Sequence, residues 1–452
     1  MCLQSFLSYL NECFTLLLVL PGILLLGLYL SFKLRFPQLT KLKLSAKSLL
    51  STDQKEQGNI SHYQALSAVI AGNLGTGNIS GMAVALSTGG PGALIWMWVM
   101  AFLGATIQFV SCVLGVKYRE QDASGNFIGG PMYYLQKGLG FKKIAMVFSF
   151  FTLIAAVTVG NFAQINSIVL PLQSVGVNPL LCGIVVAVIV AVVTLGGIKR
   201  LAAVSSSVVP VMALIYLLAA LIILALNAQH VLPSFKRMFV AAFNFKAATG
   251  GVVGFGVLKA LNVGFKRGIF ATDAGTGIVP ILQSSARTKN PVIDGVVTLI
   301  SPFLVMIMCT TTGLILMVTG AFDHSGLQST NMVMYAFSKV FGSHFGSFLV
   351  ITSIFLFAYT TVIAWGCCGE RAAEFLWGKK SAKWFQYIYF LLVPIGAVAK
   401  VDLVWVLADI SISLMLLTNL IGVAGLSKEV IVDTHTFFGV RGKSKLSQEV
   451  KG

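Results

Sequence analysis

The sequence predicts an all-α polytopic membrane protein, and three observations support this fold class. Of 452 residues, 56% are hydrophobic and only 10% are charged, whereas soluble domains carry about 25% charged residues. The mean hydropathy is +0.87. The apolar residues also fall into stretches long enough to cross a bilayer, which takes about 20 residues as a helix. So few charges cannot cover a soluble surface, and the composition likewise excludes a disordered, collagen-like or disulfide-stapled chain.

Eleven apolar spans follow one another along the chain. They lie at about 13–32, 62–88, 91–116, 144–170, 180–196, 201–227, 248–283, 292–319, 345–366, 385–399 and 402–426. The first could be a secretory signal, but no basic residue precedes it, and Lys33 and Arg35 follow it in place of a cleavage site. We therefore interpret it as a retained transmembrane helix.

The net charge of +17 comes from short basic runs between the spans, which is typical of loops that face anionic lipid and not of a nucleic-acid surface. With the N-terminus outside, 24 of the 32 Lys and Arg residues lie in inner segments and 5 in outer ones. The positive-inside rule therefore predicts an outer N-terminus and a cytoplasmic C-terminus. The seven Cys and five His are scattered without ligand spacing, so no cofactor and no resident metal site are expected.

Two of the spans are not ordinary helices. Residues 71–81 in the second span and 264–277 in the seventh are rich in Gly and polar side chains, and Gly weakens a helix by about 1 kcal/mol relative to Ala. Open backbone at membrane depth is tolerated only where it lines a cavity or is buried in protein. The two segments begin corresponding five-helix halves of opposite orientation, which indicates an inverted-repeat secondary transporter.

The repeat divides the chain into four parts. They are an extra N-terminal helix with a basic linker (1–61), a first five-helix repeat (62–227), a second, inverted repeat (228–426) and a basic cytoplasmic tail (427–452).

A broken helix presents free N–H groups at one end and free C=O groups at the other. The N–H end favours a carboxylate and the C=O end a cation, so the pair suits a small zwitterion. In the first break, Thr76 and Asn78 add a hydroxyl and an amide to these peptide groups. Small neighbouring residues leave room for a small ligand only.

Four further residues have two interpretations each. Gln164 can offer its carbonyl to an ammonium group or simply bond a neighbouring helix. Thr360 and Thr361 can supply hydroxyl oxygens to Na⁺ or bond their own backbone. Trp365 can wall a pocket or belong to an interfacial aromatic belt.

Two acids lie at membrane depth, and such an acid is a functional hypothesis in itself. Asp273 lies in the second break, where it can pair with Lys266 or Arg267, and Asp409 suits a hydrogen-bond anchor inside the bundle. The sequence has no chain of acids and His across the bundle, which favours a metal cation over a proton as the coupling ion. It also has no nucleotide-binding or hydrolase motif, so we expect neither an enzyme nor an ATP-driven pump.

Together these residues carry a family likeness along nearly the whole chain. The motifs are Gly75-Thr76-Gly77-Asn78-Ile79-Ser80-Gly81, Gly89-Gly90-Pro91-Gly92-Ala93, Gly129-Gly130-Pro131-Met132-Tyr133-Tyr134, Lys266-Arg267-Gly268-Ile269-Phe270, Phe357-Ala358-Tyr359-Thr360-Thr361 with Trp365, and Ala408-Asp409. In these motifs the chain resembles the alanine/glycine:cation symporter family, the sodium:alanine symporters.

The resemblance implies a leucine-transporter-type fold of ten helices preceded by one extra helix. It implies symport of alanine or glycine with Na⁺, or in some members H⁺, across a bacterial inner membrane. Carried over, the residues that bind substrate are Asn73, Gly75, Thr76, Gly77, Asn78, Gln164, Asp273 and Trp365. Those that bind sodium are Gly72, Asn73, Thr360 and Thr361.

In this reading Thr76 and Gly77 hold the substrate carboxylate, Gln164 helps to hold the ammonium, and Trp365 closes the pocket. The chain departs from the family pattern at Ala271-Thr272-Asp273, where Ser-Asn-Glu is usual, and at Leu304-Val305, where Asp-Thr is usual. A proton-coupled symporter that uses Asp273 and a non-transporting sensor with the same fold are the alternative functions. The oligomeric state is left open.

Overall fold

The computed structural model describes residues 3–49, 57–122, 124–173, 176–243, 252–324, 326–327, 329–399 and 401–439, and these are helical apart from loops and one small hairpin. The α-helices are α1 (Leu3–Phe14), α2 (Leu20–Lys33), α3 (Pro37–Thr40), α4 (Leu42–Leu49), α5 (His62–Asn73), α6 (Ser80–Gly89), α7 (Ala93–Lys117), α8 (Pro131–Lys137), α9 (Lys142–Ala155), α10 (Ala163–Gln173), α11 (Pro179–Thr194), α12 (Gly197–Leu226), α13 (Ala228–Phe243), α14 (Val252–Thr272), α15 (Ile278–Gln283), α16 (Pro291–Thr298), α17 (Ile300–Val318), α18 (Ser329–Phe341), α19 (Ser343–Trp377), α20 (Lys379–Leu391), α21 (Val393–Val398) and α22 (Val401–Phe437). The π-helical segments are Thr15–Val19 and Ala156–Phe162, and the 3₁₀ turns are Thr76–Asn78 and Ala321–Asp323. Strands β1 (Glu120–Gln121) and β2 (Phe127–Ile128) pair antiparallel, with Glu120 opposite Ile128.

Seven helical stretches in the described part of the chain are long and apolar enough to cross a membrane. They are Tyr9–Lys33, Ala93–Lys117, Lys142–Gln173, Gly197–Leu226, Pro291–Val318, Ser343–Trp377 and Val404–Phe437. The other four predicted spans correspond to the broken pairs α5–α6 and α14–α15, to the shorter α11, and to α20 with α21. The chain is thus a multi-pass membrane protein. Its last long helix runs to Phe437, beyond the predicted end at 426.

Both predicted interruptions are present. Helix α5 ends at Asn73 and α6 begins at Ser80, while α14 ends at Thr272 and α15 begins at Ile278. The second interruption is shorter than the predicted segment, because the backbone from Gly264 to Thr272 is still helical. A Cβ atom on Gly264 would lie 2.5 Å from the Ala93 carbonyl oxygen. That glycine therefore serves the close packing of α14 on α7.

The helices pack in two groups around the interruptions. In the first group, the broken helices pack on α7, α16 and α17. The contact of α15 with α7 is close, because a Cβ on Gly115 would lie 2.7 Å from Pro280 Cβ. The second group comprises α9, α10, α11, α19, α20 and α21, which pack on one another. Helix α22 contacts members of both groups. The interruptions thus lie where two helical bodies meet.

Two amphipathic helices occupy segments between the predicted spans. Helix α13 packs on α7, where Phe235 and Phe239 approach Trp98 with ring centroids 6.4 and 6.0 Å away. Helix α18 packs on α19 and α6, and its Phe337 stacks obliquely on Tyr216 at 5.7 Å. Their apolar faces are one-sided, so neither helix produces a continuous apolar stretch in the sequence.

Candidate functional site

Within the first interruption, the Asn78 side chain satisfies two of the freed carbonyl groups. Asn78 Nδ2 donates to the carbonyl oxygens of Asn73 at 2.8 Å and Gly75 at 3.2 Å. Thr76 and Asn78 are completely buried. Because a buried carbonyl without a donor is costly, Asn78 stabilises the unwound backbone at this depth.

The second interruption is a left-handed turn. Asp273, Gly275 and Gly277 have φ angles of 50°, 87° and 93°, a region that favours glycine. Thr276 donates to the Asp273 carbonyl from both its N–H, at 3.1 Å, and its hydroxyl, at 2.8 Å. Asn419 of α22 donates to the Gly275 carbonyl at 2.8 Å. This turn is therefore fixed from two sides.

The two interruptions contact each other directly. Asn73 Nδ2, at the end of α5, donates to the carbonyl oxygen of Thr272, at the end of α14, over 2.8 Å. Asn73 Oδ1 is buried without a hydrogen-bond partner among the described residues. The paired breaks that the sequence predicts thus meet in one place, where one buried amide oxygen has no hydrogen-bond partner among the described residues.

Gln164 reaches the first interruption from α10. Its Oε1 accepts hydrogen bonds from Thr76 N at 2.9 Å and Thr76 Oγ1 at 3.0 Å, and its Nε2 donates to Val159 O at 3.0 Å. A Cβ on Gly75 would lie 2.8 Å from this Oε1, so only glycine permits the approach. Gln164 lies at the break, as predicted. Its side-chain carbonyl, however, accepts hydrogen bonds from the Thr76 N–H and hydroxyl, which are the groups predicted to bind the substrate carboxylate.

The two adjacent threonines of α19 differ in their contacts. Thr361 Oγ1 donates to the Ala71 carbonyl oxygen of α5 at 2.8 Å. Thr360 Oγ1 donates within its own helix, to Leu356 O and Phe357 O at 3.1 Å each. The structure thus brings Thr361 to the first broken helix and leaves Thr360 bonded to its own backbone. A Cβ on Gly72, on the same turn of α5, would lie 3.6 Å from Ala364 Cβ.

Trp365 is buried, with 1% of its surface exposed. A Cβ on Gly160, in the π-helical segment of residues 156–162, would lie only 2.1 Å from Trp365 Cβ. This packing sets Trp365 inside the bundle beside the segment that precedes Gln164. An interfacial belt position is therefore wrong for this residue.

The two acids differ from the predicted pairings. Asp273 is 1% exposed and its Oδ1 has no hydrogen-bond partner among the described residues. Arg267 does not pair with it. Arg267 Nη2 lies 3.0 Å from Asp409 Oδ2, because the side chain projects from α14 towards α22 and away from the turn. The guanidinium also lies 4.7 Å from the Trp405 ring centroid. Asp409 is thus the anionic partner in an ion pair with Arg267, whereas the sequence suggested only a hydrogen-bond anchor.

Three residues that lie at the interruptions have no role there that the sequence predicts. Phe270 would be 2.7 Å from a Cβ on Gly77 and stacks obliquely on Trp405 at 4.9 Å. Cys309 Sγ lies 3.1 Å from Asn78 Oδ1. Asn419 holds the second turn, as described above. Each belongs to an apolar helix whose sequence does not show which side chain faces the break.

An ion pair links the loop after the C-terminal end of α7 to α19. Asp122 accepts hydrogen bonds from the backbone N–H groups of Ser124 at 2.7 Å and Asn126 at 3.0 Å, and lies 3.3 Å from Arg371 Nη1 of α19. Burial acts to raise the pKa of Asp122, but these hydrogen bonds and the Arg371 charge outweigh it and lower the pKa below its usual value. The carboxylate is therefore ionised at neutral pH and links the two helix groups.

Two interrupted helices that meet at the junction of two helical bodies are typical of a secondary transporter. The chain belongs to the sodium:alanine symporter family, which it matches over residues 1–451. This is a family of transporters and not of enzymes, and the chain is a sodium-coupled amino-acid symporter. The resemblance inferred from the motifs is thereby confirmed.

Individual relatives cover nearly all of the chain. It is 39% identical over 424 residues to the "Sodium/alanine symporter AgcS" of Methanococcus maripaludis, covering 92% of this chain and 93% of that protein. It is 37% identical to an "Uncharacterized transporter" of Haemophilus influenzae, covering 97% of each. It is 33% identical to the "Probable sodium/glutamine symporter GlnT" of Bacillus subtilis, covering 95% of this chain and 89% of that protein.

A solved structure shares the fold. The transporter MhsT, crystallised in complex with L-phenylalanine, superposes with a TM-score of 0.59 at 13% identity, covering 84% of this chain and 92% of that one. The predicted leucine-transporter-type architecture is confirmed by this likeness, which at such low identity concerns the fold alone.

Proposed function

We propose that the protein imports a small neutral amino acid, alanine or glycine, together with Na⁺ by alternating access. The observation that carries the proposal is the direct contact of the two interruptions through Asn73 and Thr272 at 2.8 Å. This contact supports a single buried site lined by peptide groups of both broken helices. Such a site can hold both charges of a zwitterion without a side-chain charge.

The substrate carboxylate would bind at the start of the second half of the first broken helix. Thr76 offers its N–H and hydroxyl there, Gly75 and Gly77 give close access, and Asn78 orders the turn. Gln164 would hold the ammonium group from the side. Trp365 and Phe270 limit the space around the substrate side chain, because both are large, buried and packed against glycines. The likeness to AgcS supports alanine, and the likeness to GlnT makes glutamine a competitor worth testing.

The sodium ion would bind between α5 and α19. The Ala71 carbonyl and the Thr361 hydroxyl already converge to 2.8 Å, and Na⁺ prefers several uncharged or anionic oxygens in such a cluster. The carbonyl groups of Gly72 and Asn73 lie on the same end of α5. Thr360 completes the proposed ligand set after its hydroxyl turns away from its own helix.

The proposed topology has the N-terminus outside and the C-terminus in the cytoplasm of a bacterial inner membrane, with eleven membrane passes. The distribution of Lys and Arg supports this orientation. In this orientation Arg267 and Asp409 lie on the outer side of the interruptions, and Asp122 and Arg371 lie on the cytoplasmic side.

Uptake of radiolabelled amino acid into proteoliposomes tests the proposal. We expect uptake of [³H]alanine to rise when an inward Na⁺ gradient is imposed, and unlabelled alanine, glycine and glutamine then rank the substrates by competition. A protein that shows no sodium dependence for any of these amino acids would contradict the proposal.

Proton coupling through Asp273 is the second candidate, and the burial of its unpaired Oδ1 favours it. A carboxyl group held away from water and counter-ions is a natural proton carrier. Replacement Asp273→Asn should then abolish pH-driven uptake, while Asp273→Glu, which restores the acid usual in the family, should retain it. Undiminished pH-driven uptake in Asp273→Asn would reject this version.

A further inference from the structure

One side-chain oxygen takes both hydrogen-bond donors of Thr76. Gln164 Oε1 accepts from Thr76 N at 2.9 Å and from Thr76 Oγ1 at 3.0 Å. Both residues are buried, with 0% exposure for Thr76 and 1% for Gln164. The two hydrogen bonds are therefore made without competition from bulk water.

The orientation of the Gln164 amide follows from its neighbours. The Thr76 backbone N–H can only donate, and the Val159 carbonyl can only accept. The oxygen must face Thr76, and Nε2 must face Val159 O at 3.0 Å. The opposite orientation would place two donors together at one end and two acceptors at the other.

An amino acid bound as proposed needs the same two donors. A carboxylate oxygen accepts from a peptide N–H and a nearby hydroxyl just as an amide oxygen does, only more strongly because it is charged. Gln164 Oε1 and a carboxylate oxygen cannot both occupy the position 3 Å from Thr76 N. Substrate binding at Thr76 therefore requires that Gln164 withdraw.

We propose that Gln164 competes with the substrate carboxylate for Thr76, and that this competition selects ligands that carry an ammonium group. The inference rests on the proposed function. A ligand that displaces the Gln164 carbonyl leaves it buried without a donor, which carries the full desolvation penalty. An α-ammonium group supplies a new donor to that carbonyl. A plain carboxylate such as propionate supplies none, so the site rejects it.

Propionate, which is alanine without its amino group, tests the selection. Ligand-induced stabilisation against thermal unfolding, measured for each ligand separately in Na⁺, gives apparent affinities for alanine and propionate. In Gln164→Met the side chain keeps its length but loses its acceptor. We expect the preference for alanine over propionate to narrow by about tenfold or more relative to the wild type.

Asn166→Met is the matched control. Asn166 is a buried amide on the same helix, and its Nδ2 donates to Ala399 O at 3.0 Å, away from Thr76. This variant should keep the wild-type preference. An unchanged alanine-to-propionate ratio in Gln164→Met overturns the inference. Absence of alanine binding to the wild type would instead contradict the proposed function, so the two failures are distinguishable.

A structure of the wild-type protein with alanine and Na⁺ decides the question if Gln164→Met does not fold. We expect Gln164 Oε1 to lie beyond hydrogen-bond distance of Thr76 N and next to the ligand ammonium. A bound ligand with the Thr76–Gln164 hydrogen bonds intact would overturn the inference.

Discussion

At the scale of single residues, Gly75 links the two halves of the proposed site. A Cβ at this position would lie 2.8 Å from Gln164 Oε1 and 2.9 Å from Thr361 Oγ1. The side chain assigned to the substrate and the side chain assigned to sodium thus approach the same backbone atom from different helices. A residue without a side chain is what allows both to contact the first interruption.

Replacement Gly75→Ala tests this role. Forcing a methyl group into a packed interior costs about 1–3 kcal/mol, so we expect Gly75→Ala to lower the free energy of unfolding of the ligand-free protein by about that amount. The measurement is thermal unfolding of the purified protein in detergent without substrate. Gly256→Ala is the control, because a Cβ on that helical glycine meets nothing within 4 Å. A stability of Gly75→Ala within about 0.5 kcal/mol of the wild type would contradict the predicted crowding.

At the scale of helices, a buried ion pair holds α14 to α22. Arg267 and Asp409 lie 3.0 Å apart with side chains 11% and 10% exposed. The exposed pair Arg237 and Asp323 has the same 3.0 Å separation but is 49% and 55% exposed. The two pairs differ mainly in burial, so they separate the effect of burial from that of distance.

We expect Asp409→Ala to destabilise the protein by about 3–5 kcal/mol, because it leaves the Arg267 charge buried without a partner. Asp323→Ala should cost no more than about 1 kcal/mol, because water screens that pair. Thermal unfolding in detergent compares the two variants with the wild type. The double variant Arg267→Leu/Asp409→Leu should regain much of the loss. Equal losses for Asp409→Ala and Asp323→Ala would be inconsistent with a buried pair.

The sequence predicts the interruptions but not the partners across them. Glycine and polar residues weaken a helix locally, so the breaks near Gly75 and Gly275 follow from composition alone. The Asn73–Thr272 hydrogen bond joins residues 199 positions apart, and nothing local indicates it. Thr360 and Thr361 illustrate the same limit, because neighbours on a helix point about 100° apart and only the packing decides which one meets α5.

At the scale of the whole molecule, two ion pairs lie on opposite sides of the interruptions. Arg267 is on α14, which leads into the second break, and pairs with Asp409 of α22. Asp122 follows α7 and pairs with Arg371 of α19 at 3.3 Å. Arg119, at the same end of α7, donates to Ser284 O and Ala286 O just after α15. In the proposed alternating-access cycle, each pair would restrain one of the two approaches to the breaks.

Labelling of Cys309 can report which approach to the breaks is open. Its Sγ lies 3.1 Å from Asn78 Oδ1 and is buried, so a reagent reaches it only through an open approach. In a variant with the other six cysteines replaced, we expect Asp409→Asn to speed labelling of Cys309 by an impermeant maleimide from the outer side only. Asp122→Asn should speed it from the cytoplasmic side only. Loss of about 1 kcal/mol of closed-state stabilisation already shifts the open population about fivefold, so the initial labelling rate should rise by at least that factor. Right-side-out and inside-out vesicles separate the two directions, and Asp323→Asn should change neither rate. Faster labelling from the same side in both variants would show that the two pairs do not guard opposite entrances, because each pair can restrain only the approach that it spans.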